Sequence, residues 1–316
     1  MSLRSRSTWW TIAFLIVCLA AGWVLADVYA PRPIIGVAHF EGLIDPASAQ
    51  QMTRIVEGAR EDARMAAVVL EIDSFGGDAR SSELLYHTLL SLRQQKPLIV
   101  AIAGAATSGG YHMAIAGNKI YAPAVAEIGN IGAISSRPWD PALSPDVLST
   151  GPYKLSGGSR FDNIRQLELV RDSFLGNVVY QRSQSPYNPL KADPKTVAEA
   201  HVYLGSEALA LGLVDAPGGT SDAISAAAEL AGITSYRVVQ LTDYLGLTFQ
   251  PSTYFKANSL FKAALPGTVF LLDSRIPLSA PFAENAAIPG AQPAWTGRQP
   301  DQLGGLFSHV RTEGGR

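Results

Sequence analysis

Two glycine-rich stretches, each placed directly after an apolar run, constrain the fold of this chain more than any other feature. The first, DSFGGDA, covers residues 73–79 and follows MAAVVLEI; the second, AATSGGYH, covers residues 105–112 and follows KPLIVAIAG. Short continuous apolar runs of this kind are typical of strands buried on both faces of a sheet. A segment with helical periodicity comes after each turn. The chain is therefore predicted to pass twice from a buried strand through a tight turn into a helix.

The wider order of segments predicts the fold class. A strand is expected at residues 33–44 and a helix at 45–63, which opens on an Asp-Pro start signal. Strands at 65–73 and 96–104 and a short strand in KIYAPA continue the alternation with helices. This order indicates parallel strands joined by helical crossovers, so the predicted class is α/β. Further helices are predicted at the following places: residues 164–184, the segment after Gly205, and residues 221–232.

The N-terminal segment predicts a membrane anchor. Residues 7–26 carry no charged side chain, and 20 helical residues at 1.5 Å each cover a hydrocarbon core of about 30 Å. Arg4 and Arg6 precede the run and Asp27 follows it, which predicts a cytoplasmic N-terminus. An uncleaved single-pass anchor in the cell membrane is the favoured interpretation, and a signal peptide cleaved after Ala26 is the alternative. With either, the remainder of the chain lies outside the cytoplasm.

Charge and cysteine content exclude some classes of function. The formal net charge is −2 and there is no basic patch, so nucleic acid is not an expected partner. The single cysteine, Cys18, lies inside the apolar run and rules out an intramolecular disulfide. It is interpreted as a small apolar side chain in a membrane helix rather than as a lipidation site.

The C-terminal part of the chain differs in character from the rest. From about residue 238 the chain is rich in Pro, Gly and Ala and shows little periodicity. Residues 259–278 are apolar but interrupted by charges and a proline, so a surface-lying or partner-binding segment and a loosely packed tail are both open. From residue 286 onward disorder is expected.

The second turn presents a candidate nucleophile. Loops at the carboxyl ends of parallel strands lie along one edge of the sheet, so both turns should border the same crevice. Ser108 would stand at a helix N-terminus, in a positive field and beside a free amide. Gly76 and Gly77 can direct their amides outward because they carry no Cβ. A hydroxyl with two backbone donors is the equipment of a nucleophile and its oxyanion hole, although simple helix capping by Ser108 is the alternative.

A serine nucleophile needs a base, and the histidines do not supply an obvious one. His112 lies one helical turn from Ser108 and would have to fold back over Gly109, so a surface or packing role is preferred for it. None of the other histidines lies in a loop clearly directed at the crevice: His39, His87, His201 and His309. A lysine whose pKa is lowered by burial is the alternative base.

Four blocks occur in an order and spacing that resemble a known family. They are LEIDSFGGDA, IVAIAGAATSGGYHMAIAGNKIYAPAVAEIGNIGAI, GPYKLSGGSRFD and GSEALALGLVDAPGG. Over residues 34–232 the chain resembles the signal peptide peptidases of the SppA type, membrane-anchored serine proteases of peptidase family S49. The resemblance implies a ClpP/crotonase-like fold of stacked ββα units, a Ser–Lys dyad, no metal or other cofactor, and a homo-oligomer. The domains are then residues 1–31 (cytoplasmic stub, anchor and linker), 32–236 (protease) and 237–316 (C-terminal extension of unknown role).

The family's functional residues map onto individual positions of this chain. The resemblance assigns Ser108 as the nucleophile and Lys154 as the base, and Lys154 lies in a polar, Gly-flanked loop rather than on a helix face. Taken alone, Lys154 would be read as a solvated side chain. The oxyanion hole implied by the resemblance uses backbone amides of the two turns, at Gly76, Gly77 and Gly109. An extended substrate would add a strand beside the residues after the first turn: Asp78, Ala79, Arg80 and Ser81.

Three positions depart from the family pattern. Asn130 stands in GNIG where the family usually has a serine that orients the lysine; its carbonyl oxygen could accept a hydrogen bond from Lys154 but could not relay a proton. Phe75 replaces a proline in the first turn, and His112 replaces the second of two tyrosines. These changes keep the nucleophile and base, and they leave room for altered substrate choice.

The resemblance implies a serine endopeptidase that cleaves remnant signal peptides or other membrane-associated polypeptides. Its activity is expected to rise with pH as Lys154 loses its proton. Three alternatives remain open at this stage: an NfeD-type membrane serine protease, a crotonase-like acyl-CoA enzyme, and a degenerate S49 domain that acts as a non-catalytic membrane scaffold.

Overall fold

The computed structural model describes residues 3–29, 32–135, 150–151, 153–154, 157–250 and 269–272. It confirms the α/β class predicted from the sequence. The elements, in chain order, are α1 (Leu3–Tyr29), β1 (Ile34–Glu41), α2 (Pro46–Glu61), β2 (Met65–Ser74), β3 (Gly76–Asp78), α3 (Ala79–Arg93), β4 (Leu98–Thr107), α4 (Gly109–Ala114), β5 (Lys119–Ala122), β6 (Glu127–Gly129), β7 (Ile134–Ser135), α5 (Arg160–Ser183), α6 (Pro194–Val197), β8 (Val202–Leu204), α7 (Gly205–Leu211), β9 (Ala216–Pro217), α8 (Thr220–Leu230), β10 (Arg237–Gln240), α9 (Leu241–Leu245) and β11 (Val269–Leu272).

The main sheet carries both glycine-rich turns at the ends of its central strands. Its order is β10-β1-β2-β4-β5-β9, and every pair of neighbours along this path is parallel. β6 adds parallel pairing to the end of β4, and β8 pairs with β6 in the antiparallel direction. β2 and β4 are buried along most of their length, as their continuous apolar sequences predict. The turns that follow β2 and β4 therefore leave the same edge of the sheet.

The start signal at residue 45 works as the sequence predicts. The Asp45 carboxylate accepts a hydrogen bond from the Ser48 amide at 2.7 Å, and the Ser48 hydroxyl accepts one from the Asp45 amide at 2.9 Å. This reciprocal capping box satisfies two donors that would otherwise lack partners in the first turn of α2. The proline at position 46 costs nothing there, because the first residue of a helix has no intrahelical use for its N–H.

A second, smaller sheet lies at the carboxyl edge of the first. Its order is β3-β11-β7, and both pairings are antiparallel. Leu271 of β11 pairs with Gly77 of β3, and Phe270 pairs with both Asp78 of β3 and Ile134 of β7. Phe270 and Leu271 are only 2% and 1% exposed. These four residues of the segment 259–278 are thus neither a surface-lying stretch nor a loose tail.

The α/β domain continues past the boundary predicted at residue 236. β10 pairs with β1, and Leu241, the first residue of α9, is fully buried. The boundary was set too early because β10 completes the sheet only through tertiary pairing, which the local composition does not show. The disorder predicted from residue 286 onward lies outside the described residues.

A buried ion pair joins α5 to the turn before β9. Both charges of Arg182 and Asp215 are buried, and the guanidinium makes two hydrogen bonds to the carboxylate, at 2.6 and 3.0 Å. Arg182 also donates to the Gly212 carbonyl, and Asp215 accepts from the Ile120 amide. Such bonds offset the desolvation cost that a buried pair otherwise carries. The buried residues of α5 all lie in its second half: Phe174, Val178 and Arg182.

The N-terminal helix α1 is a single uninterrupted element. Its side chains are exposed from Trp9 to Gly22, including Trp10 at 77% and Leu19 at 74%. Among the residues that the structure describes, no helix has the combination of length and apolar character needed for a membrane span.

Candidate active site

Ser108 occupies a strained turn between β4 and α4. Its backbone angles are φ 54° and ψ −121°, a region that residues with a Cβ rarely adopt and that costs on the order of 1–3 kcal/mol. The Ser108 amide donates a hydrogen bond of 2.7 Å to the Gly129 carbonyl, which fixes the turn against β6. A sharp strand-to-helix turn of this kind is the arrangement that presents a nucleophile at the top of other α/β sheets.

The hydroxyl of Ser108 is held without a partner. The residue is fully buried, and in the described part of the chain its Oγ makes no hydrogen bond. Ser108 stands at the N-cap of α4 but makes no side-chain cap bond, so the capping interpretation is wrong. An unpaired buried hydroxyl costs about 1–3 kcal/mol. An unsatisfied group in a strained position is a marker of function rather than of stability.

The two glycine-rich turns converge as the sequence predicts. Gly76 has φ +91°, and a Cβ placed on it would overlap the Leu271 carbonyl oxygen and stand 2.7 Å from the Gly109 amide nitrogen. The backbone of the first turn is therefore packed directly against the amide that follows Ser108. Only glycine leaves room for this approach.

The three glycines predicted to form the oxyanion hole differ in the direction of their backbone amides. The Gly76 amide donates to the Ser74 hydroxyl at 3.1 Å, so it is used inside the fold. The Ile44 amide donates to the Gly76 carbonyl at 2.9 Å, and the Asp78 amide donates to the Ile44 carbonyl at 2.8 Å. Because peptide groups alternate along a strand, the Gly77 amide faces the opposite side, toward β11. Gly77 and Gly109 remain the candidate donors, and Gly76 shapes the turn.

Lys154 is not brought together with Ser108, whereas the backbone of Asn130 directly follows the Gly129 carbonyl that accepts from the Ser108 amide. Lys154 is exposed, and within the described ranges no hydrogen bond or ion pair joins its amine to Ser108 or Asn130. Asn130 also has a positive φ of 53°; its side-chain amide donates to the Ala200 carbonyl at 2.9 Å. The Ser–Lys dyad and the supporting role of Asn130 therefore stay predictions.

Only one of the four residues predicted to border a substrate strand lies in a strand itself. Ala79, Arg80 and Ser81 form the first turn of α3, whose hydrogen bonding engages their backbone, and only Asp78 lies in β3. The Asp78 carboxylate caps this helix by accepting from the Ser81 amide at 2.8 Å and the Ser81 hydroxyl at 2.6 Å. An aspartate three residues before a serine is an N-cap signal that could have moved the predicted strand back to residues 76–78.

His112 has the packing role that the sequence favours. Its ring lies between Tyr86 and Phe174, with both centroid distances 4.7 Å, and its Nε2 lies 3.1 Å from the side-chain amide of Asn177. Burial, aided by the nearby His87, lowers the pKa of His112 to about 3. The imidazole is therefore neutral at physiological pH, and its Nδ1 has no partner among the described residues.

A cavity of about 500 Å³ adjoins the site. His112 and Phe174 form its apolar wall, Arg80 and Glu83 lie at its α3 side, and Val269 and Leu271 of β11 close it. Side chains two residues apart on a strand point to the same face, so Val269 and Leu271 both face this cavity. Sequence reasoning missed β11 as a wall of this cavity, although VFLL is a short apolar run rich in strand formers.

The chain is similar in sequence to known proteins. Residues 91–234 match the sequence model of peptidase family S49. The resemblance to this family is confirmed. A serine protease SPPA, chloroplastic, of Arabidopsis thaliana is 30% identical over 238 residues, which is 72% of this chain and 34% of that protein. Protease 4 of Salmonella typhi is 29% identical over 214 residues, 60% of this chain and 32% of that protein.

The chain spans about a third of the length of these two S49 relatives. Among solved structures, a ClpP1 mutant from Listeria monocytogenes aligns with a TM-score of 0.43 at 12% identity, over 60% of this chain and 94% of that one.

Proposed function

We propose that this protein is a membrane-anchored serine endopeptidase in which Ser108 is the nucleophile and Lys154 the general base. The observation that carries the proposal is the state of Ser108: a strained strand-to-helix turn, a buried hydroxyl without a partner, and the amide of Gly109 beside the Gly76–Gly77 turn. The similarity to S49 proteases supports the same reaction class. The ClpP/crotonase-like arrangement of ββα units belongs to this proposal.

The reaction proceeds through an acyl-enzyme. Neutral Lys154 accepts the proton of the Ser108 hydroxyl as Oγ attacks a peptide carbonyl carbon. The amides of Gly77 and Gly109 donate to the oxygen as it becomes negative. Lys154 then gives the proton to the departing amine, and water hydrolyses the ester by the same steps. Glycine at both donor positions keeps the carbonyl within reach of the amides.

Lys154 is assigned by its sequence block and by its place in the chain. It lies a few residues before Ser159, whose side chain caps α5, so its loop leads directly into the helix that forms one wall of the cavity. A lysine acts as a base only when neutral, so activity should rise with pH. Asn130 offers its side-chain carbonyl oxygen to the lysine amine, because its amide group already donates to Ala200.

The substrate is an extended, apolar polypeptide segment. β3 and β7 each pair with β11 in the antiparallel direction, and an extended peptide in the place of β11 would be held by its backbone whatever its sequence. The adjoining cavity selects apolar side chains through His112 and Phe174. Remnant signal peptides and other membrane-associated polypeptides have this character. The NfeD-type protease would use the same dyad on a different membrane protein.

The anchor is the segment of residues 7–26, with the N-terminus in the cytoplasm and the catalytic domain outside it. The absence of charged side chains in this run supports the proposal. The apolar side chains of α1 are exposed on all sides, and exposure of apolar surface to water is unfavourable. A homo-oligomer completes the groove. Protease protection of the tagged N-terminus in sealed spheroplasts tests the orientation, because a periplasmic N-terminus would be degraded and would contradict it.

The dyad is tested by labelling the full chain in detergent with a fluorophosphonate probe between pH 6 and pH 10. Labelling should rise with pH, and both Ser108→Ala and Lys154→Met should reduce it at least about 10³-fold. The exposed residues Ser225 and Lys191 provide matched controls, Ser225→Ala and Lys191→Met, which should label like the wild type. Full labelling of Lys154→Met would remove the dyad. No labelling of a folded wild type would make the non-catalytic scaffold the better description.

A further inference from the structure

Three neighbouring strands of the main sheet, β10, β1 and β2, each begin beside an arginine. Arg237 is the first residue of β10, Arg64 directly precedes β2, and Arg32 lies two residues before β1. Ile34, the first residue of β1, pairs with Arg237 on one side and with Met65 on the other, so the three strands start at the same level. Because neighbouring strands are about 4.8 Å apart, the three arginines lie close together along the amino edge of the sheet.

The three arginines surround a cavity of about 260 Å³. In the described part of the chain its lining consists of Arg32, Arg64, Arg237, Ile34 and Tyr236, without a carboxylate. Its volume is below the roughly 300–1,000 Å³ of pockets for drug-sized ligands, so it suits one small group. A guanidinium is planar, permanently charged and matches the oxygens of a phosphate in bidentate geometry. Three of them around one cavity therefore indicate a site for a phosphate group.

The positive charge of this cavity is only partly neutralised within the described residues. Arg64 is paired with Asp62, whose carboxylate lies 3.4 Å from Arg64 Nε and also accepts from the Tyr244 hydroxyl at 2.5 Å. The Arg64 guanidinium lies 5.5 Å from the centre of the Tyr244 ring, a contact that orients it. Arg32 and Arg237 are exposed and form no ion pair with a described carboxylate. The cavity thus keeps a net positive charge that a bound anion would neutralise.

The place of the cavity in the chain indicates where the phosphate comes from. α1, which contains the apolar run of residues 7–26, ends at Tyr29. Only three residues, or at most about 11 Å of extended chain, lead from Tyr29 to Arg32. With α1 as the membrane anchor, the cavity lies within reach of the headgroup layer, which extends about 5–8 Å beyond the hydrocarbon core. Basic residues next to a membrane segment attract anionic lipids, so a lipid headgroup is the favoured source.

We propose that Arg32, Arg64 and Arg237 bind the phosphate of an anionic phospholipid headgroup, a proposal that rests on the membrane anchor of the proposed function. The guanidinium groups donate to the phosphate oxygens, while Ile34 and Tyr236 contact the adjoining glycerol carbons. Both glycine-rich turns leave the opposite, carboxyl edge of the same sheet, so a bound headgroup leaves the active site uncovered. The lipid holds the domain with its active-site edge directed away from the bilayer.

Native mass spectrometry of the full chain in detergent tests this site, with phosphatidylglycerol and phosphatidylcholine added in equal amounts. The wild type should retain phosphatidylglycerol in preference to phosphatidylcholine. Arg32→Gln and Arg237→Gln should each lower the ratio of the two bound lipids about fivefold, because each removes a cation beside the phosphate. Arg165, an exposed arginine of α5, gives the matched control, and Arg165→Gln should keep the wild-type ratio. Equal retention of both lipids by the wild type, or an unchanged ratio in both cavity variants, would overturn the proposal.

Three further measurements keep the outcomes separate. Inorganic phosphate at the concentration of the lipid and at constant ionic strength should leave the ratio unchanged, and displacement of phosphatidylglycerol by it would contradict the assignment to a lipid. Flotation of the full chain with vesicles of pure phosphatidylcholine tests the anchor without the arginines. A chain that does not float loses the anchor and the lipid site together, whereas a chain that floats without preferring phosphatidylglycerol loses the lipid site alone. Fluorophosphonate labelling tests the catalytic proposal independently, and both cavity variants should label like the wild type.

Discussion

Both glycine-rich turns carry the chain from a buried central strand into a helix, and both place a polar residue at the helix N-cap. At the first turn the Asp78 carboxylate caps α3 through the amide and hydroxyl of Ser81. At the second turn Ser108 makes no cap bond, and its backbone adopts a strained conformation. The two turns thus have similar sequences but different roles. The first turn uses its side chain for stability and offers its backbone to a neighbouring strand, whereas the second keeps its side chain free.

Adding a methyl group to each turn should separate them most strongly. A Cβ on Gly77 would overlap the Ile44 carbonyl oxygen and stand 2.7 Å from the Ile44 carbonyl carbon, both backbone atoms that cannot rotate away. A Cβ on Gly109 would instead overlap the hydroxyl of Ser82. Gly77→Ala should lower the free energy of unfolding by about 3 kcal/mol and Gly109→Ala by about 1 kcal/mol, measured by urea denaturation.

The double variant Gly109→Ala with Ser82→Ala supplies the control, because it removes the overlapping hydroxyl. Its loss should be smaller than the sum of the two single losses. Equal losses for Gly77→Ala and Gly109→Ala would show that the two turns do not differ in the way described.

The neutral imidazole at the end of the second turn predicts a loss of stability in acid. The pKa of His112 is about 3 in the fold against an ordinary value of 6.5, so the unfolded chain takes up a proton that the folded chain refuses. The contribution of neutral His112 to the free energy of unfolding is fully present above pH 6.5 and is lost as the pH falls toward 3. By pH 5 the loss should be about 2 kcal/mol, and His112→Phe should lack it.

Unfolding of both proteins by urea at pH 7 and pH 5 measures this difference. His201→Phe is the matched control, since His201 is exposed and should keep the wild-type loss. An identical decrease in the wild type and His112→Phe would mean that the acid sensitivity arises elsewhere.

The strain at Ser108 should appear as a difference in stability between two variants that lack its hydroxyl. Ser108→Gly relieves a conformation that costs about 1–3 kcal/mol, while the added freedom of glycine in the unfolded chain takes back up to about 1 kcal/mol. Ser108→Gly should therefore be more stable than Ser108→Ala by about 1 kcal/mol in thermal or urea unfolding. If Ser108→Ala is the more stable of the two, the turn is not strained.

The smallest expected effect compares the two N-caps directly. Asp78→Ala removes a working cap and should lower the free energy of unfolding by about 1 kcal/mol. Ser108→Ala removes a buried hydroxyl that caps nothing and has no partner among the described residues, so it should not lower the free energy of unfolding and should raise it by up to about 1 kcal/mol. Hydrogen exchange of the first-turn amides of α3 and α4 distinguishes the two variants. The Ser81 amide should exchange faster in Asp78→Ala than in the wild type, and no amide in the first turn of α4 should exchange faster in Ser108→Ala.

Features that depend on residues close together in the chain were predicted from the sequence. The helix start at Asp45, the apolar runs of β2 and β4 and the convergence of the two turns follow from residue type and spacing. The conformation of Ser108 does not, since it depends on bonds such as that to Gly129 and on close packing by Gly76. β11 was missed for the same reason, because its partners are distant in the sequence.

The buried pair of Arg182 and Asp215 has a mechanical consequence. It holds the C-terminal end of α5, while residues in the first half of the helix such as Phe161 and Leu169 are 82% and 61% exposed. From Arg182 to the start of the helix is about 30 Å at 1.5 Å per residue. α5 is therefore held by charge at its C-terminal end, while its N-terminal end follows the segment that contains Lys154. A substitution that breaks this ion pair therefore acts on the helix whose other end follows the segment that contains Lys154, the proposed base.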